Sequence, residues 1–202
     1  MRKKRSFKRQ EATRPQRKTF YLFCEGKNTE PHYFEALKQK YKQYVDLRIK
    51  GAIGVPMTIT KEIIKEKEKK KIDNIEDQYW AVFDCDEHPC YERAKKECHD
   101  RNIPFAYSDP CFELWHILHF QEYDKSCKRH DVQKLAETLI EGYERKTGKT
   151  TDFYPLLDKL EEAEERAEKQ RQNRETEGRT NGSPSTSIYE LTRAIKKAIA
   201  SS

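Results

Sequence analysis

The chain has 202 residues, a length that suits one domain or one domain with an appendage, and its 41 Lys and Arg against 35 Asp and Glu give a net charge of +6. Residues 1–18 hold nine of the basic residues and one acid, a net +8, so the rest of the chain is at −2. The excess that points to nucleic acid therefore sits in a tail, while the body is slightly acidic. No apolar run approaches the ~18 residues that span a bilayer, and no apolar stretch follows the basic start as it would in a signal peptide. Six cysteines without paired spacing (Cys24, Cys85, Cys90, Cys98, Cys111, Cys127) read as reduced thiols of a cytoplasmic protein.

The tail cannot bury enough apolar surface to offset its ordering entropy and is expected to be disordered. Residues 19–24 (TFYLFC) are a β-branched and aromatic run, read as a buried strand, broken by Glu25-Gly26-Lys27-Asn28-Thr29. A helix is expected over 30–41, with Tyr33, Phe34 and Leu37 on one face, and an alternating, more exposed strand over 45–49. A charged helix at 57–71 has a narrow seam of Ile59, Ile63 and Ile64. The second buried strand, 78–83, runs straight into Asp84-Cys85-Asp86-Glu87-His88. A helix over 89–101 should stop at Asn102, and 103–107 is a third apolar strand. Ser108-Asp109-Pro110 carries cap and first-turn chemistry for a helix over 111–120 that is apolar nearly all round, hence buried. Helices at 131–145, 154–174 and 188–200 follow, the last after a polar linker at 176–187.

Strands alternating with helices predict an α/β fold, with a parallel sheet covered on both faces. Residues 1–18 form the basic tail, 19–125 the α/β core and 126–202 a helical extension packed on it. In such sheets functional groups gather beyond the carboxyl ends of the strands. Two buried strands here end in acids: Glu25 on the first, and Asp84, Asp86 and Glu87 on the second. If the strands are neighbours, these carboxylates share one small volume, where they must hold protons or bind a hard cation. Mg²⁺ (or Mn²⁺) takes one or two carboxylates plus water and phosphate oxygens, and a metal so held activates water and stabilises a phosphoryl transition state. A single acid past a strand often only caps the next helix; two acid-ended strands in one domain favour the metal reading.

Further candidates have bland alternatives. Lys27 is placed to meet a substrate phosphate, or is a solvated loop lysine. Glu113, His116 and His119 are spaced by three along one helical face. An acid in so apolar a helix needs a partner, while the two histidines either contact substrate or hydrogen-bond their neighbours. His88 stands beside the second acid cluster as a further substrate contact. With Cys90, Cys98 and His99 it is of zinc-ligand type, but at a spacing that matches no common finger. Cys24 and Cys85 read as small buried hydrophobes, and no Walker-type glycine loop is present.

A strand ending in Glu-Gly followed by one ending in Asp-x-Asp resembles the Toprim fold of topoisomerases, DnaG-type primases and OLD-type nucleases. More narrowly, residues 20–34 (FYLFCEGKNTEPHYF), Val82-Phe83-Asp84-Cys85-Asp86, residues 108–115 (SDPCFELW) with His119-Phe120, and Ser183-Pro184-Ser185-Thr186 resemble RloB-like proteins. That resemblance covers nearly the whole chain. It implies a Toprim-like bacterial protein, linked to restriction loci and phage defence, often beside an ABC-type ATPase partner. It implies an Mg²⁺-dependent nuclease site with Asp84 and Asp86 as metal ligands, Glu25 as acid/base or metal-proximal carboxylate, and Glu113 as a further acidic member. The expected substrate is DNA or RNA, including tRNA. The competing readings are an inactive Toprim-like module that binds the ATPase, and a phosphoryl-transfer enzyme acting on a small nucleotide.

Overall fold

The aromatic and β-branched run at the start of the body forms β1 (Thr19–Cys24), all six residues of which are buried. Such a strand needs neighbours on both edges and cover on both faces, and it has them. The computed structural model describes residues 17–69, 77–85, 90–126, 128–145, 151–179 and 182–201. Apart from Arg17 and Lys18, the expected basic tail lies outside them, as does Cys127. The sheet has the order β2-β1-β3-β4-β5, with β2 at Asp46–Lys50, β3 at Gln78–Asp84, β4 at Phe105–Asp109 and β5 at Ser185–Thr186. The first four strands are mutually parallel, and β5 pairs antiparallel with β4. Helices α1 (Thr29–Tyr41), α2 (Pro56–Lys69), α3 (Tyr91–Asp100), α4 (Glu113–Leu118), α5 (Arg129–Leu139), α6 (Leu160–Thr176) and α7 (Ile188–Ala200) complete the α/β fold.

Strand periodicity divides the core in two. Phe20, Leu22, Cys24, Trp80, Val82 and Ala106 face a cluster shared with α1, α4, α6 and α7. Tyr21, Phe23, Tyr79, Ala81, Phe83 and Tyr107 face Ile59 and Ile63 of α2 and Tyr91 and Cys98 of α3. The C-terminal helices thus sit in the same core as β1, and α7 buries Ile188, Leu191, Thr192, Ile195 and Ala198 along one stripe. Asn102 stops α3 as the sequence indicates. It takes φ +50, its N–H donates to His99 O at 3.1 Å, and Ile103 N–H donates to Cys98 O at 2.8 Å. This closes the helix with a left-handed residue.

Three expectations change. The sheet is parallel-rich as expected, but Ser185-Thr186, placed by sequence in a polar linker, forms its antiparallel edge. Those residues saturate β4 with hydroxyls: Ser108 Oγ and Thr186 Oγ1 are 2.7 Å apart, and Tyr107 N–H donates to Ser187 Oγ at 3.0 Å. For the same reason Ser108 and Asp109 do not cap a helix. They pair with Thr186 and Ser185, and α4 begins only at Glu113, with all six residues buried. Finally, α5 ends at Leu139 rather than 145, since Ile140 is extended and Gly142 takes φ +75. Among the described residues no helix is long and apolar enough to cross a membrane, and the described cysteines are free thiols.

Candidate active site

β1 and β3 are neighbours, with Cys24 opposite Val82, so the two acid-bearing strand ends lie side by side. Glu25 N–H donates to Val82 O at 3.0 Å, continuing the ladder one residue past the strand. The Glu25 side chain reaches back, its Oε2 accepting the Asp84 N–H at 3.3 Å. Asp84, in alternation with Trp80 and Val82, belongs to the face covered by α1 and α4, where Glu113 opens α4.

The turn between β1 and α1 brings in a fourth acid. Glu30 Oε1 accepts the Gly26 N–H at 2.9 Å, and Glu30 is buried. A Cβ at position 26 would collide with both oxygens of that carboxylate, so a larger residue there must displace the Glu30 side chain; the constraint on Gly26 is this close approach. The β2–α2 loop locks the turn from the other side. Ala52 N–H donates to Gly26 O at 2.8 Å, and a Cβ on Gly51 would stand 2.6 Å from Pro31 Cγ.

These groups line a cavity of about 220 Å³, together with Lys27, Asn28, Phe112, Arg129, Tyr143, Arg145 and Phe153. Burial, then the Glu30 and Glu113 carboxylates, push Asp84 well above the usual carboxylate range, and Arg129 pulls the other way. Burial also raises Glu30, again with Glu113 adding to the shift and Arg129 opposing it. Arg129 Nη2 lies 3.5 Å from Asp84 Oδ2, while Oδ1 of this carboxylate is buried without a hydrogen-bond partner. Glu113 is better satisfied, since Tyr143 O–H donates to its Oε1 at 2.6 Å. The donors are hard oxygens, and Asp84 Oδ1 lacks a partner, which suits a cation that takes one or two carboxylates and otherwise water. Among the described residues, however, no three His, Cys, Asp or Glu side chains stand close enough to hold a metal ion.

The expected residues Glu25, Lys27, Asp84 and Glu113 thus meet in one cavity, whereas Asp86 and His88 lie outside the described residues. His116 is in the wall behind. It is fully buried, its ring is 4.4 Å from that of Phe153 and 5.2 Å from that of Phe112, and neither nitrogen has a hydrogen-bond partner. Burial drives its pKa well down, so it is a neutral packing element beside the site. His119 is held by Trp115 O at 2.9 Å on Nδ1 and by the Tyr33 hydroxyl at 3.1 Å on Nε2, with burial lowering its pKa to about 4. Nδ1–H therefore donates to the carbonyl, and Nε2 accepts from Tyr33.

Sequence reasoning missed Glu30, Arg129, Tyr143 and Arg145. Glu30 had a signal, an acid in the first helical turn four residues after a glycine. Tyr143 and Arg145 had one in Gly142, a helix-stop residue passed over by the periodic reading. Arg129 had none that is local.

No curated protein and no solved structure matches the chain. The family model described as RloB-like protein matches residues 20–195, a span that includes every described residue of the cavity and the edge strand β5. The chain belongs to the RloB-like protein family.

Proposed function

We propose that this protein is a divalent-cation-dependent phosphodiesterase that cleaves nucleic acid at a Toprim-like site, acting as an effector of bacterial antiphage defence. The observation that carries the reading is the buried, unpartnered Oδ1 of Asp84 in a cavity shared with Glu25, Glu30 and Glu113. Four carboxylates around one cavity, with one buried oxygen unpartnered, favour the binding of a further cation there. The defence setting and an ABC-type ATPase partner rest on the family resemblance alone.

In this reading Asp84 and Glu25 hold Mg²⁺ or Mn²⁺, with Asp86 as the further expected ligand. The bound ion would supply a lowered water pKa and offset charge on the phosphoryl oxygens. Glu25, aimed by the Asp84 N–H, is placed to accept the proton of an attacking water. Tyr143 fixes the Glu113 carboxylate. Phe112 and Phe153 form a dry wall, and Lys27, exposed at the rim, meets a substrate phosphate.

A second reading has its own observation. Arg129 already stands on Asp84, and no three metal-ligating side chains are clustered among the described residues, which favours an inactive module that binds its ATPase partner. One experiment separates the two: labelled DNA, bulk tRNA and single-stranded RNA are incubated with wild type and Asp84→Asn, with Mg²⁺ or Mn²⁺. Cleavage by wild type that the folded variant lacks supports the nuclease. Equal cleavage by both removes Asp84 from the mechanism, and no cleavage together with no Mn²⁺-dependent rise in Tm supports the binding module.

A further inference from the structure

The segment after α5 brings to the cavity an arginine that is already held in place. Ile140 is extended and Gly142 takes φ +75, so the chain leaves the helix and turns back along it. Arg145 comes to rest on Glu137 of α5: its backbone N–H donates to Oε1 at 3.3 Å, and its Nε stands 3.3 Å from Oε2 in an ion pair. One carboxylate thus fixes both the main chain and the side chain of Arg145. Nη1 lies 2.9 Å from Nε2 and 3.0 Å from Nδ1 of the exposed His130. These contacts engage Nε and Nη1, and the Arg145 side chain is only 18% exposed. Among the described residues Nη2 has no hydrogen bond. Arg145 lines the acid-floored cavity, and Lys27 stands exposed on the same rim.

Fixing an arginine costs rotamer entropy, and a pair as open as this one, with Glu137 35% exposed, returns little of it. The arrangement gains its value from a third group. A guanidinium is planar, and with one edge held its other edge presents donors to a phosphate in a set direction. Lys27 is no substitute, because an ammonium on a flexible stem is a point charge without direction. We propose that Arg145 binds a phosphate oxygen of a nucleic-acid strand in the cavity, and that Glu137 is the positioning residue that aims it. This rests on the nucleic-acid-cleaving reading above and deepens it by naming the directional phosphate contact. A backbone phosphate and a terminal phosphate offer an arginine the same oxyanion chemistry. A pair that only locked the end of α5 would have the opposite consequence for binding. An acid at the rim of a phosphate site repels the strand, so without a positioning role its loss strengthens binding.

The test uses binding alone. A phosphorothioate-linked oligothymidylate is titrated, with Mn²⁺ present, into wild type, Arg145→Gln, Glu137→Gln, the double variant and Lys65→Gln. Anisotropy reads the affinity, and Tm is recorded for each protein. Lys65 carries the same charge on α2, which covers the other face of the sheet. Arg145→Gln should weaken binding about tenfold and lower the slope of log K against log salt by about 0.7, the share of one phosphate on a single strand. Lys65→Gln should stay within about twofold of wild type. Glu137→Gln keeps an oxygen for the Arg145 N–H. It should weaken binding about threefold although it removes a negative charge, and it should add nothing in the double variant. Should Arg145→Gln not fold, Arg145→Lys takes its place, keeping the charge without the fork, and should weaken binding about threefold. Circular, 5′-hydroxyl and 5′-phosphorylated strands are compared: an equal loss in all three assigns a backbone phosphate, and a loss confined to the last assigns a terminal one. Wild-type affinity in both Arg145 variants, or tighter binding by Glu137→Gln, overturns the proposal and leaves the nuclease reading to its own test at Asp84. No binding by wild type overturns both.

Discussion

Replacing Asp84 by Asn should make the metal-free protein more stable. Asp84 is only 7% exposed, Oδ1 is unpartnered, and the Glu30, Glu113 and Glu25 carboxylates all raise its pKa. At an effective dielectric of 20 a close like-charge pair is unfavourable by roughly a few kcal/mol, part of which proton uptake by Asp84 relieves. The half-exposed Arg129 returns part of this, discounted by solvent. Asn keeps the size of the side chain, removes the charge and offers an N–H₂ to the surrounding carboxylates. The net gain should be about 1–2 kcal/mol, or roughly 3–6 °C in Tm for a domain of this size. The pH dependence fixes the cause. The folded pKa of Asp84 lies above its ordinary 3.8, so the native state binds more protons than the unfolded chain between those values. The stability supplied by protonated Asp84 is thus fully present below about pH 4 and is lost as pH rises through the raised value. The advantage of the variant should be largest at neutral pH and close as pH falls toward 4. Scanning calorimetry in EDTA from pH 4 to 8 reads this directly. A variant no more stable than wild type at pH 7.5 would refute the reasoning and make Asp84–Arg129 a structural pair.

Tyr143→Phe removes the donor to Glu113 Oε1 and leaves a buried carboxylate oxygen unpaired, which should destabilise by about 1–3 kcal/mol in urea titrations; an unchanged midpoint would show that water replaces the phenol. Gly26→Ala forces Glu30 off the Gly26 N–H and should cost about 1–3 kcal/mol, read as a lower Tm, with wild-type melting counting against the close approach. Ser187→Ala strips the buried Tyr107 N–H of its acceptor and should likewise cost about 1–3 kcal/mol. Hydrogen exchange should show that loss as faster exchange at Tyr107, and protection equal to wild type would deny the hydroxyl its role.

How much of this was legible in the sequence follows from where periodicity operates. The runs that became β1 and β3 have the continuous apolar character of strands buried on both faces, and α7 repeats at helical spacing; each announces itself locally. β5 could not, because two residues, Ser185 and Thr186, carry no period. Their identity as an edge lies in hydroxyls that meet Ser108 and Tyr107 nearly eighty positions away. The reading of Ser108-Asp109-Pro110 as a cap failed on the same fact, since local cap chemistry lost to sheet pairing formed at long range.

The site divides along the same line, with a consequence for its chemistry. Glu25 and Asp84 were visible because each interrupts a strong apolar run, and an acid at such a break stands out against its neighbours. Glu113 was visible for the same reason in a helix otherwise apolar. The groups that temper these acids are placed by interruptions of another kind: Glu30 by the turn at Gly26, Arg129 by the start of α5, Tyr143 and Arg145 by the early end of that helix at Ile140. Glu25, Lys27, Glu30, Asp84, Glu113 and Arg129 therefore sit at the end of an element or within one turn of it, where backbone N–H groups and short loops set direction, while Arg145 lies in the segment after α5. The central strands hold the acids rigidly, since β1 and β3 are buried and paired on both edges. Two of the cations, Arg129 and Arg145, and the phenol come from α5 and the segment after it, outside the sheet, while Lys27 comes from the turn after β1. A buried acidic floor under a more exposed cationic rim is what the proposed metal-dependent phosphodiesterase would require, carboxylates for the ion and cations for the substrate phosphate.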